Sequence, residues 1–383
     1  MKISGQECCG CGLCAAVCPV GCIAMQPDEE GFSVPCVEES KCIHCDKCKK
    51  SCPVNFCAKK ETPKVDHARC FYAISADAKQ VANASSGGVF PALALQFLCR
   101  GGAVIGAAFD RNFDVQLRLI EKMDDLPDLM QAKYVQASVP QDLFADAMKI
   151  LAEGRALLFT GTPCQIAAFR SFCGAKDYPH LLCAEVICHG VPSPAVWRSY
   201  LDAVSRRVSS GIRAVFFRDK SAGWHKFSLR IDCKETQVTQ VHKESPYMQL
   251  FLQELISRKS CTECVFKAGK SGADLSLGDF WKLHKIAPER NNSTGVSMVI
   301  VHTNSGMAAL EQCEWEAFQE FPMDCVKISN RAYFEPIAPN PRRGEYFEEF
   351  RNSGSKWFDP SNFIARKRKK SLMQRIAALF RKK

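Results

Sequence analysis

The sequence predicts a mixture of α+β and α/β structure: a small, cysteine-dense N-terminal domain followed by a large mixed α/β domain. Three observations lead there. The first 52 residues contain the same four-cysteine run twice. Beyond residue 70, short apolar runs of strand length alternate with amphipathic segments of helical spacing. The chain is 383 residues long, too many for one small core, with an ordinary globular balance of 46% hydrophobic and 24% charged residues.

The N-terminal runs come first. Cys8, Cys11, Cys14 and Cys18 are spaced C-x2-C-x2-C-x3-C and followed by Pro19. Cys42, Cys45, Cys48 and Cys52 repeat the spacing and are followed by Pro53. This is the bacterial-ferredoxin arrangement, in which three thiolates on a tight loop cover three irons of a cubane and the fourth cysteine ligates the other cluster. One cluster is therefore expected on Cys8, Cys11, Cys14 and Cys52, the other on Cys42, Cys45, Cys48 and Cys18. Zinc sites instead use C-x2-C pairs parted by a longer spacer. Cys9 and Cys22 fall outside the spacing and are expected to be packing thiols, with His44 a loop residue. The 23 cysteines of a long chain without an apolar leader point to metal or redox chemistry in the cytoplasm, not to disulfides.

The predicted organisation is a ferredoxin-like domain over 1–58, a polar linker over 59–70, an oxidoreductase domain over 71–345 and a C-terminal segment over 346–383. In the large domain, "AVIGAAF" from Ala103, "ALLFT" from Ala156 and "CAEVIC" from Cys183 are expected strands. "DLFADAMKILAEG" from Asp142 and "PAVWRSYLDAVSRRV" from Pro194 are expected helices. The run Val89–Cys99, broken by Pro91 and Gln96, is too short to span a bilayer.

Chemistry-bearing motifs cluster where these strands end. Ser85, Ser86, Gly87 and Gly88 precede a helix whose first turn holds Pro91, a setting that suits either phosphate approach or a plain glycine turn. "GTPCQ" and "ICHGVPSP" repeat the design and add Cys164 and Cys188. Cys261 and Cys264 form a C-x2-C turn. These four thiols, all in Gly/Pro-rich loops or turns, suit a third 4Fe-4S cluster; the alternatives are a zinc site at Cys261 and Cys264 or unliganded thiols.

In order along the chain stand "SSGGVF", "AKYVQASV", "LLFTGTPCQIAAF", "CHGVPSPAVW", "FRDKSAGW", "CTECVFK" and "ADLSLGDFW". With the twin cysteine runs ahead of them, they resemble the coenzyme F-420 hydrogenase/dehydrogenase beta-subunit family from about Glu7 to about Arg343, and most closely its bacterial members encoded near polysaccharide genes. The resemblance implies an FAD-containing iron–sulfur oxidoreductase. In that family, clusters carry single electrons and the flavin exchanges hydride with a deazaflavin or other organic partner. Carried over by motif, the flavin site falls on Asn83, Ser86, Gly87 and Gly88, on Lys133 and Tyr134, and on Thr160, Gly161, Thr162, Pro163 and Gln165. The resemblance also favours the third cluster. His189 and Asp279 are the ionisable residues inside these motifs, suited either to proton handling or to a structural hydrogen-bonding role. The expected partners are a redox protein or ferredoxin and an organic hydride donor or acceptor. The alternative is a flavin-free polyferredoxin adaptor.

The net charge of +10 sits in one place: the segment from Arg366 to Lys383 carries nine Lys and Arg and no acid, leaving about +1 for the rest. Leu372, Met373, Ile376, Leu379 and Phe380 share a helical face there, which suits a peripheral contact with the inner membrane surface or a partner, or else a solvated terminus. The near-neutral body argues against nucleic acid.

Overall fold

The computed structural model describes residues 3, 8–58, 68–174, 176, 178–290 and 292–364. The basic tail and most of the expected linker lie outside the described residues. Within them, an antiparallel hairpin of β1 (Ile23–Pro27) and β2 (Ser33–Val37) belongs to the N-terminal lobe. The body follows with β3 (Arg69–Ser75), β4 (Ala103–Phe109), β5 (Val115–Ile120), β6 (Leu157–Gly161), β7 (Leu181–Val186), β8 (Ile212–Asp219), β9 (Ser228–Cys233), β10 (Gln237–Val241), β11 (Leu275–Asp279), β12 (Ser297–Val301) and β13 (Trp315–Phe321).

Eight of these form one sheet in the order β13-β3-β12-β11-β7-β6-β4-β5. Its centre, β11-β7-β6-β4, is parallel, and the flanking pairs are antiparallel. The near-continuous apolar character of β4, β6 and β7 is what a parallel strand covered on both faces requires. The helix Val89–Cys99 packs on one face with Leu93 and Leu98; the helices Leu143–Ala152 and Pro163–Cys173 pack on the other with Phe144 and Phe169. A separate antiparallel sheet, β10-β9-β8, closes over a core of Trp197, Phe217, Tyr247 and Phe251. Burying each such side chain stabilises the fold by about 1.5–3 kcal/mol. In an open α/β sheet, ligands bind beyond the carboxyl ends of the parallel strands, and this edge collects the loops singled out above.

Two expected boundaries shift. The N-terminal lobe is embedded in the body: Leu13 joins the core around Phe144, and Phe32 joins the core around Trp197. Buried Arg258 donates from Nε to the Cys8 carbonyl (2.8 Å) and from Nη1 to the Ser33 carbonyl (3.0 Å). Arg343 pairs with Glu30 (Nη1 to Oε1, 2.9 Å). The body also runs past residue 345, because the helix Arg343–Asn352 buries Tyr346, Phe347 and Phe350 in the same core as Trp197. Their period, three to four residues, is that of a packed helix face.

Candidate functional site

A cleft of about 720 Å³ opens at the carboxyl edge of the parallel strands, within the range of roughly 300–1,000 Å³ usual for cofactor and small-molecule sites. Ser85, Ser86 and Gly88 form one wall, Gln131 to Ala137 a second, and the ends of β6, β7 and β11 the floor. Phe227, Trp281 and Phe251 supply aromatic surface.

The glycine-rich loop is held tightly. Ser86 donates to the Val296 carbonyl (2.6 Å), and the Gly87 N–H donates to Ser297 Oγ (2.9 Å). A Cβ on Gly87 would stand 2.3 Å from the Ala73 carbonyl oxygen, so no larger residue fits. Gly88, at φ 85°, starts the helix Val89–Cys99, and no side chain caps that end. The helix Pro163–Cys173 behaves differently. Thr162 and Gln165 close it with a reciprocal capping box, spending the donors that the motif reading assigns to a ligand. Thr160 lines the cleft, but its hydroxyl donates to the Ile105 carbonyl (2.7 Å). Gly161 lines it as well, whereas Pro163 faces a neighbouring cavity. Asn83 is displaced from the expected site altogether: it is exposed, outside the cleft lining, and its amide donates back to the Lys79 carbonyl (3.1 Å).

At the centre of the cleft stands Arg218, 1% exposed. It forms a two-pronged ion pair with Asp279 (Nη2 to Oδ1, 2.7 Å; Nη1 to Oδ2, 3.2 Å), and also donates to the Ser85 carbonyl and Tyr134 Oη. Its guanidinium lies 4.1 Å from the Phe227 ring centroid and 5.1 Å from that of Trp281. Asp279 also accepts from Trp224 Nε1 (2.9 Å). Both its oxygens are engaged, so it positions Arg218 and is not a free base. His189, at the rim, contacts Glu254 (Nε2 to Oε1, 2.6 Å). Lys133 donates to the Met130 carbonyl (2.7 Å), and burial of its ammonium pushes it down to about 7.

Three buried polar atoms along this cleft have no partner among the described residues: Arg218 Nε, Gln131 Oε1 and Ser329 Oγ. Leaving such atoms unpaired costs about 1–3 kcal/mol each, so a cleft presenting a donor, an acceptor and a hydroxyl suits a polar ligand. Sequence reasoning misses all three. Arg218 stands inside the "FRDKSAGW" motif, which is the available signal.

Beside the cleft lies a second cavity, lined by Cys164, Cys188, Cys261 and Cys264. The thiols arrive from three places: the first turn of the helix Pro163–Cys173, the loop after β7 and the short helix Lys259–Glu263 with its C-cap. Val54, Val191, Val265 and Phe266 complete an apolar wall. Burial raises the thiols of Cys188, Cys261 and Cys264, the last to about 12, a cost that a bound metal ion would remove by holding thiolates. The Gly190 N–H donates to Cys188 Sγ at 3.3 Å, and the Gly10 N–H donates to Cys8 Sγ at 3.3 Å. Both glycines have positive φ (96° and 71°), so the same two-residue N–H···S turn serves both places.

In the N-terminal lobe, Cys14 has Cys8, Cys52 and Cys48 as neighbours. Cys18 lies against Cys22 (3.4 Å), and Cys22 lies within reach of Cys42. Cys48 neighbours Cys45. Cys9, outside the ligand spacing, packs against the apolar cluster that contains Cys11 and lies in the patch that contains Cys164.

Residues 154–322 match the family described as the C terminus of the coenzyme F420 hydrogenase/dehydrogenase beta subunit, and residues 7–56 match the 4Fe-4S dicluster domain. The middle of the chain is thus similar to the coenzyme F420 hydrogenase/dehydrogenase beta subunit. With a 4Fe-4S dicluster domain at its N-terminus, it is an iron–sulfur electron-transfer protein. The beta-subunit match contains all four cysteines of the second cavity as well as Arg218 and Asp279. A ferredoxin-like protein from the vnf region of Azotobacter vinelandii is 35% identical over 57 residues, 15% of this chain and 88% of that protein. A chain of the F420-reducing NiFe hydrogenase complex from Methanosarcina barkeri aligns over 76% of this chain and 96% of its own length, with 17% identity and a TM-score of 0.46. Among the described residues, no helix is long and apolar enough to cross a membrane.

Proposed function

We propose that this beta-subunit relative is a flavin-dependent oxidoreductase. Electrons pass between three 4Fe-4S clusters and an FAD in the cleft, and the partner is a deazaflavin or another organic hydride carrier. The observation that carries this reading is a shared wall: Cys9, Cys164, Cys188, Gly190 and Val191 line both the cysteine cavity and the cleft. One-electron and two-electron chemistry would then meet across a single layer of residues. Two clusters fall to the crossed N-terminal sets, Cys8, Cys11, Cys14 with Cys52 and Cys42, Cys45, Cys48 with Cys18; the third falls to Cys164, Cys188, Cys261 and Cys264. The flavin, when bound, supplies the conversion between hydride and single-electron transfer.

The protein's own residues have distinct tasks. Ser86, Gly88 and the uncapped end of the helix Val89–Cys99 would receive the ligand's anionic part. Arg218 offers its Nε–H from a desolvated position, where a charge-assisted hydrogen bond is strong, and Asp279 holds it there. Phe227, Trp281 and Phe251 exclude water. Lys133, lowered to about 7, can hold or release a proton near neutrality, and His189 stands at the rim paired with Glu254. A redox protein would exchange electrons with the N-terminal lobe.

Anaerobic purification tests this directly. The expected result is about twelve iron and twelve sulfide per chain, and FAD released by acid denaturation. Iron and sulfide without flavin would overturn the enzyme reading in favour of a polyferredoxin adaptor.

A further inference from the structure

The cysteine cavity holds one thiol more than a cubane takes. Its lining includes Cys9 beside Cys164, Cys188, Cys261 and Cys264. Cys9 belongs to the N-terminal lobe, one residue after Cys8, and its side chain packs two ways at once: against the cluster that contains Cys11 of the first N-terminal set, and in the patch that contains Cys164 of the internal set. It packs in the same apolar patch as Cys52, Cys164 and Cys264. The four sulfurs around a cubane sit on four different irons and are held apart by the cluster. A thiol packed between Cys11 and Cys164 is therefore placed beside ligand sulfurs of both sites, not as a ligand of either.

Resting on the cluster assignment proposed above, we infer that Cys9 is a shared outer thiol that joins the first N-terminal iron–sulfur site to the internal one. Its single S–H faces two sulfurs from different sites and donates to either. Hydrogen bonds to cluster sulfurs stabilise the more electron-rich reduced state and raise its potential. Cys9 thus tunes two sites together and fills the gap between them with a polarisable sulfur. It is a positioning residue, and it neither gains nor loses electrons. Cys22 is its counterpart on one side only: its sulfur lies 3.4 Å from that of Cys18 and near Cys42, and both of these belong to the second N-terminal set. The two thiols outside the ferredoxin spacing therefore differ in reach, one touching one site and the other bridging two.

The test is a potentiometric titration of the anaerobic full-length holoprotein with dithionite, followed by electron paramagnetic resonance, together with iron and sulfide counts. The wild type is measured first, and a missing third signal would overturn the cluster assignment itself. With three signals present, Cys9→Ala keeps the full iron content and moves two of the three midpoint potentials to more negative values. Cys9→Ser, whose hydroxyl still donates, restores most of both shifts. Cys22→Ala moves only the remaining signal. Loss of about four irons in Cys9→Ala would show a ligand and overturn the inference. So would unchanged potentials in both Cys9 variants, or a Cys22→Ala shift of the same two signals. If Cys9→Ala does not fold, Cys9→Ser still decides: a third signal lost with its iron refutes the outer role, and intact iron with small shifts in the same two signals supports it.

Discussion

The N-terminal lobe and the cysteine cavity beside the cleft present thiols by opposite means. In the lobe, six of the eight ligand-spaced cysteines fall in two short stretches of chain, so local chain geometry brings them together, and the body adds the packing of Leu13 and Phe32 and the grip of Arg258 and Arg343. In the cavity, Cys164, Cys188 and the Cys261–Cys264 turn are adjacent only because β6 pairs with β7 and β7 with β11. The lobe's Cys45 lies fully at the surface, whereas the four internal thiols are half-buried beside Val54, Val265 and Phe266. The difference teaches that one group of sites belongs to its loops and the other to the sheet. Damage to the sheet should empty the second while sparing the first.

The largest effect expected is on the sites themselves. Cys164→Ser with Cys261→Ser should remove one cluster's worth of iron, about four atoms, and leave the two N-terminal signals intact; Cys45→Ser should remove the second N-terminal signal and leave the internal one intact. Iron analysis with electron paramagnetic resonance reads both, and a double variant that loses all signals would collapse the distinction. Next comes the join between the regions. Arg258→Ala removes two charge-assisted hydrogen bonds to the Cys8 and Ser33 carbonyls and leaves those acceptors buried, which should cost about 2–4 kcal/mol and show as a lowered midpoint of thermal unfolding. Arg218→Met acts only on the cleft. It should weaken binding of added FAD about 10- to 100-fold by fluorescence titration, with iron content unchanged.

The smallest effect is a pH dependence confined to the internal side. Glu185 lies at the end of β7, three residues before Cys188, where it accepts from the Ser271 and Ser276 hydroxyls. Burial raises its carboxyl to about 7, while the two hydroxyls pull it partly back. The folded state therefore binds the proton more tightly than the unfolded chain. The resulting stabilisation is complete below about 4.5 and is lost as pH rises through 7. Glu185→Gln should flatten the stability profile across that window in calorimetric scans. An unchanged slope would remove Glu185 as its source.

Legibility follows the same division. The lobe is plain in the sequence because its ligands are consecutive and spacing alone encodes them. The four internal cysteines are legible one by one, each marked by a Gly/Pro loop or a C-x2-C turn, but their convergence depends on strand pairing that periodicity does not reveal. Asn83 misleads because adjacency to a motif is not membership in the site: a helix turn carries its amide back to Lys79. Thr162 and Gln165 look like ligand contacts in the motif, yet the backbone needs them as a cap. Asp279 looks like a free acid because its partner Arg218 lies 61 residues earlier. Cys9 stands outside the spacing and reads as a packing thiol, and only tertiary contact sets it in the wall of the cysteine cavity.

Arg258 has a further consequence. Many redox proteins carry a small cluster domain on a tether that swings between a donor and an acceptor, so that turnover depends on a diffusive search. Here a buried guanidinium grips the backbone of the first cysteine loop and of β2, while Arg343 holds Glu30 on the neighbouring turn. The lobe is therefore wired in place, like a fixed conductor. Electron flow between lobe and body should have one path of one length, and its rate should not slow when the solvent is made viscous.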